Sequence, residues 1–232
     1  MVGSKQVHPV FLSVEEADAH CRAGAGIWKF ASTDEGLNPD VVLVGIGCEI
    51  TFEVIKAAEI LKKLTPHLRI RVVNVTDLMV LGTEGTHPHS LTTQDFNGLF
   101  THDKPIHFNY HGYAAELKGL LFGRPELDRV TIESYREEGT TTTPFDMMLQ
   151  NRTSRYHVVE AAIKGGAKTN ERVRLDMNMS LSEIRHRVAK IREYIFTEGK
   201  GMPTFSKYVD VEFNCVADPD DTYTKPDFET LK

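Results

Sequence analysis

The chain runs to 232 residues, 41% apolar and 26% charged, a balance that allows a large globular domain with a proper core and excludes fibrous, collagenous or disordered classes. Its formal net charge is −6, from 27 basic and 33 acidic residues with no long Lys/Arg stripe, which argues against a nucleic-acid partner yet leaves room for a small anion at a local basic cluster. No apolar run approaches the roughly 20 residues of a membrane span, no signal-peptide core is present, and the scattered Cys21, Cys48 and Cys215 suit neither a disulfide framework nor a four-cysteine zinc site, so no membrane is involved and the cytoplasm is the expected compartment.

In chain order, residues 13–24 (SVEEADAHCRAG) predict a short helix, with Ser13 as N-cap, Glu16 completing a capping box and Gly24 stopping it. Residues 40–47 (DVVLVGIG) form a continuous β-rich apolar run, the pattern of a strand buried on both faces. Residues 51–64 place Val54, Ala58 and Leu61 on one helical face with lysines elsewhere, and Pro66 closes the segment. Strands follow at 69–78 and 105–112, a helix at 114–122, and a fourth strand at 129–135. Further helices are expected at 144–164 and 180–198. Such alternation of strands and amphipathic helices indicates an α/β fold: three layers, αβα, built on a mostly parallel, doubly wound sheet. From Asn214 onward the chain turns polar and acidic and reads as an extended tail.

Gly45-Ile-Gly47 at the end of the first predicted strand invites a dinucleotide-binding fingerprint, but the third glycine position is Ile50, and Glu49 would set a negative charge where a pyrophosphate should lie. A tight strand-to-helix turn accounts for both glycines. Cys48 sits where a helix dipole could activate a thiol, although the glycine that a nucleophile elbow needs is again Ile50. His87-Pro88-His89 could direct two imidazoles to one side as metal ligands, yet no third ligand is fixed by spacing, and no metal is expected. His107 reads as a core or cross-sheet residue, whereas His111, at a strand's carboxyl end before Gly112, faces the usual ligand edge of such sheets. In EEGTTTTPFDM (137–147), Thr143 can cap a helix, Pro144 fits its first turn and Asp146 suits its dipole. Glu137 and Glu138 are adjacent and so diverge; the segment is a structural joint before it is a catalytic centre.

Seven motifs occur in order: SKQ (4–6), GIWKFAS (26–32), NPDVVLVGIG (38–47), VVNVTDLM (72–79), HPHSL (87–91), FTHDKPIHFNYHGY (100–113) and EEGTTTTPFDM (137–147). Together they resemble the C-terminal domain of phosphoketolases, transketolase-like enzymes, over about residues 4–205. The chain departs from that pattern at GIGCEITFE after the first strand, and its tail beyond Met202-Pro203 is longer than in many members. The resemblance implies a parent that uses thiamine diphosphate and magnesium to convert xylulose 5-phosphate, or fructose 6-phosphate, with phosphate into acetyl phosphate and an aldose phosphate.

The same resemblance implies residues 1–12 as a junction from a preceding domain, 13–205 as the α/β domain and 206–232 as the polar tail. The diphosphate–magnesium motif of thiamine enzymes, GDG followed by NN, is missing here. No catalytic residue and no bound cofactor are therefore expected in this chain, which reads as a fragment cut near a domain junction. Its implied partners are the parent's N-terminal and middle domains and the dimer mate. Lys5 matches the family lysine that reaches the substrate phosphate, while His87, His89, His111, Glu137, Thr140 and Thr143 fall at expected domain contacts or an anion site. The alternative is a stand-alone regulatory domain that binds a small anion or nucleotide near Gly47 and His111.

Overall fold

The structure, a computed structural model, describes residues 9–136 and 142–201. Helix α1 (Val14–Ala23) is closed at both ends as the sequence dictates: Ser13 Oγ accepts from the Glu16 N–H, Glu16 reaches back to the Ser13 N–H, and Gly24 turns left-handed at φ 73°. The chain then enters a short strand that the sequence reading did not anticipate, β1 (Ala25–Ile27). Three residues are too few to show a period, and their placement comes from antiparallel pairing with β3 (Ile70–Val75).

The other strands are β2 (Val41–Ile46), β4 (Ile106–Tyr110) and β5 (Val130–Ser134), all parallel to β3, in the order β1-β3-β2-β4-β5. The chain starts at central β2, steps to β3 on one side, then crosses back to β4 on the other. The sheet's order therefore reverses between β2 and β4, and the carboxyl ends of these strands are where open α/β sheets bind their ligands. Every residue of β2, β3 and β4 is buried, which explains the unbroken apolar run of β2, while the polar Arg71, Asn74, His107 and Asn109 of β3 and β4 are each held by hydrogen bonds.

Helices cover both faces of the sheet. On one face α2 (Cys48–Leu64) and α6 (Arg155–Gly166) pack against Val41, Leu43, Ile70 and Val72, with α5 (Pro144–Gln150) and α7 (Glu171–Glu198) completing the layer. On the other, α3 (Thr93–Phe100) and α4 (Ala114–Leu121) meet Val42, Val44, Ile106 and Phe108. This is the expected three-layer arrangement.

Three expectations need correction. The lysines of α2 are not all outside: Lys56 is 1% exposed with its ammonium 5.3 Å from the Phe52 ring centroid, because α2 is enclosed on almost every side. The helix expected over 144–164 is two helices. Asn151, Arg152, Thr153 and Ser154 interrupt it, with Arg152 in the left-handed region at φ 61°, and Thr153 and Ser154 fully buried beneath the break. The helix expected from 180 begins at Glu171, where the Asn170 side chain accepts from the Val173 N–H, and runs to Gly199. Leu175 and Met179 in its first half are exposed, so that half has little apolar face for a periodicity argument to detect.

Candidate functional site at the carboxyl edge of the sheet

At the carboxyl ends of β2 and β4 the turn into α2 meets the residues that follow β4. His111 extends β4 by one pairing, its N–H donating to the Ile46 carbonyl at 2.9 Å. Its Nδ1 lies 3.3 Å from Glu49 Oε2, and its ring meets Tyr135 edge to face with centroids 4.9 Å apart. Tyr135 is fixed in turn by its own N–H, which donates to the Tyr110 carbonyl at 2.7 Å. A carboxylate, an imidazole and an aromatic ring thus meet at the strand ends.

The two glycines below this cluster are packing devices. A Cβ on Gly45 would lie 2.8 Å from the Thr51 Cα, so its absence lets α2 sit against β2. Gly47 has φ +102°, and a Cβ there would lie 2.6 Å from the His111 Cβ. Glu49 occupies the first turn of α2, so an anion approaching those amides meets a carboxylate. The nucleotide reading of Gly45 and Gly47 loses its basis. Cys48 fares no better as a nucleophile, since partial burial and the neighbouring Glu49 push its thiol up rather than down.

His87 and His89 lie side by side, ring centroids 5.0 Å apart, but each is engaged locally. The His89 N–H donates to His87 Nδ1 at 3.1 Å, and His89 Nδ1 lies 2.7 Å from Asp77 Oδ2. Partial burial raises the Asp77 carboxyl, yet the Met79 N–H and the His89 ring outweigh it and hold it below the usual carboxylate range. Among the described residues no three His, Cys, Asp or Glu side chains gather to hold a metal ion.

Thr143 caps α5 as its sequence predicts, accepting from the Asp146 N–H at 3.2 Å. The Asp146 carboxylate is itself occupied by the Thr142 hydroxyl at 2.8 Å and the Gln150 amide at 2.6 Å. Thr143 and Asp146 thus make the joint that the composition suggests. Lys5, Glu137 and Thr140 lie outside the described residues, as do the junction before residue 9 and the tail at 206–232.

The structure brings His111 to Glu49 and Tyr135, a grouping the sequence reading missed. Glu49 and His111 are 62 positions apart, and only the parallel register of β2 against β4 makes them neighbours. One signal was present: both lie within two residues of a predicted strand's carboxyl end, where a parallel sheet gathers its strand ends.

Comparison with known proteins gives a consistent outcome. The model of the XFP C-terminal domain matches residues 5–210. A probable phosphoketolase of Schizosaccharomyces pombe is 55% identical over 203 residues, 88% of this chain and 24% of that protein. Another, from Mesorhizobium japonicum, is 41% identical and covers 94% of this chain and 26% of its own length. A third, from Chlorobaculum tepidum, is 42% identical, at 88% and 25%. The chain therefore spans about a quarter of the length of the curated relatives it matches. Among solved structures, a transketolase from Leishmania mexicana matches with TM-score 0.45 and 12% identity, covering 65% of this chain and 19% of that one.

Proposed function

The chain belongs to the XFP C-terminal domain family, that of phosphoketolases, and from that membership we propose that it acts as the C-terminal domain of a phosphoketolase whose reacting groups lie in other domains. Coverage is the observation that carries the reading: relatives match nearly all of this chain, which amounts to only 24% to 26% of their length. The parent reaction is cleavage of xylulose 5-phosphate, or fructose 6-phosphate, by phosphate, giving acetyl phosphate and a shorter aldose phosphate. That is carbon–carbon lyase chemistry in the cytoplasm, for which thiamine diphosphate with magnesium supplies the reactive carbon.

The described residues do not fit that cofactor. Among them no cluster of acidic or imidazole side chains could hold the magnesium, and the α2 N-terminus presents Glu49 where a diphosphate would need positive charge. The domain's part is accordingly packing and positioning. The carboxyl edge, with His111, Glu49 and Tyr135 and the exposed Tyr113 beside them, is the proposed contact with the N-terminal and middle domains and the dimer mate. Glu137, Thr140 and Thr143 are proposed for the same surface, and Lys5 as a point charge for the substrate phosphate.

A chimaera tests this reading. Substituting this chain for the C-terminal quarter of a working phosphoketolase preserves acetyl phosphate production in a ferric hydroxamate assay, and Lys5→Ala in that chimaera raises KM for the sugar phosphate. The 232-residue chain alone, given both substrates, thiamine diphosphate and magnesium, yields none. Turnover by the chain alone, or a chimaera as inactive as the truncated enzyme, overturns the proposal.

A further inference from the structure

A cleft of about 210 Å³ opens between α6 and the edge formed by β4 and β5. It borders Val41, Pro105 and Ile106 where β2 and β4 begin, toward the opposite end of the strands from His111. Its inner wall carries His107, which is 2% exposed. The alternation of β4 puts His107 on the α6 face, with Ile106 and Phe108 in the opposite core.

Thr131 is the hydrogen-bond partner of the His107 ring. The Thr131 hydroxyl donates to the Ile106 carbonyl at 3.2 Å. With its proton so placed, Thr131 Oγ1 accepts from His107 Nδ1, 3.0 Å away. In the neutral ring Nε2 then carries a lone pair, and among the described residues no group donates to it. Burial, with the charge of Arg152 and the nearby His157, holds the ring's pKa down at about 4, so it is neutral across the ordinary range of pH. A buried acceptor left without a donor is unfavourable, and protein cores seldom tolerate one unpartnered.

The rim gives the partner a charge. Arg129, Arg152, Lys164 and Lys168 line the cleft against two carboxylates, Glu133 and Glu160. Arg152 lies between both, at 3.0 Å and 3.3 Å, and Lys164 holds Glu160 at 2.7 Å. Arg129 is committed to the carbonyls of Phe100, Thr101 and Lys104. Lys168 is exposed at the mouth, and two of the four cations exceed the carboxylates.

We propose that this cleft binds a small hydroxylated anion, whose hydroxyl donates to His107 Nε2 while its charged group lies toward Lys164 and Lys168. The volume suits a molecule of about three or four carbons, below the range of drug-sized pockets. The site stands on the geometry of this cleft and is independent of the reading of the carboxyl edge.

The test reads the imidazole nitrogens directly. The 232-residue chain, labelled with nitrogen-15 at histidine, is titrated with glycerate, with glycerol 3-phosphate and with acetate, which lacks the hydroxyl. The expected result is a saturable shift of His107 Nε2 with at least one hydroxylated probe, about tenfold tighter than with acetate. Which of the two binds better separates a carboxylate from a phosphate ligand. Replacing both exposed lysines, Lys164→Gln with Lys168→Gln, weakens binding about tenfold without disturbing the fold. An Nε2 resonance that none of the probes moves overturns the proposal, and so does an equal response to acetate.

Discussion

Glu53 and Arg155 hold the two central helices together. Arg155 donates to the Glu53 carboxylate from its side chain at 2.6 and 2.9 Å and from its backbone N–H at 2.7 Å, and both residues are under 9% exposed. Removing one partner of such a pair strips a buried charge of its counterion, whereas replacing both with apolar groups is often near neutral. Glu53→Gln is expected to lower unfolding stability by about 3–5 kcal/mol, measured from the urea midpoint, and Glu53→Leu with Arg155→Met to recover most of the loss. The histidines give a pH signature. Burial and the charge of Arg152 lower the pKa of His107 and of His157 from 6.5 to about 4. Rings that are harder to protonate when folded stabilise the fold above about pH 6.5, and that contribution is lost as pH falls toward 4. Urea titrations from pH 7 to 4 should show stability declining across that window.

At the level of elements, the turn from β2 into α2 is the most constrained joint. Gly47 at φ +102° lies against the His111 Cβ, so Gly47→Ala meets both a left-handed backbone and a 2.6 Å contact. The expected loss is about 2 kcal/mol, a drop of roughly 4–8 °C in Tm by calorimetry, with His111 displaced from Glu49. That same joint shows what the sequence could and could not disclose. The glycines, the continuous apolar strands, the capping box at Ser13 and the Thr143-Pro144 helix start were all legible, because each is a local requirement of backbone geometry. The break at 151–154 was not, because the left-handed Arg152 has its guanidinium held by Glu133 and Glu160, partners outside the break that a local reading does not supply. The short antiparallel β1 and the Glu49–His111 contact were hidden for the same reason. They are products of sheet register, and a single sequence carries no record of register across a reversal in strand order.

For the whole molecule, the telling feature is the apolar surface that the two cores do not use. Phe122 is 85% exposed at the end of α4 and Tyr113 61% exposed at its start, while Leu175, Met179 and Phe196 stand out from α7 at 76%, 71% and 92%. Single exposed apolar residues are ordinary, but Leu175 and Met179 are one helical turn apart and share a face. On the proposed reading, the other domains of a phosphoketolase would cover such faces. The two helices can be told apart by experiment, because substitutions at positions so exposed leave the folded chain within about 0.5 kcal/mol of its starting stability. Phe122→Ser and Leu175→Ser with Met179→Ser are therefore expected to keep Tm in the isolated chain and to reduce any self-association seen in sedimentation velocity. In a phosphoketolase carrying this chain as its C-terminal domain, the face that contacts the rest of the enzyme is the one whose substitution lowers dimer stability and turnover together. A pair of variants that changes neither self-association nor assembly would mean that these helices face water in the complete protein, and the contact would then rest on the carboxyl edge alone.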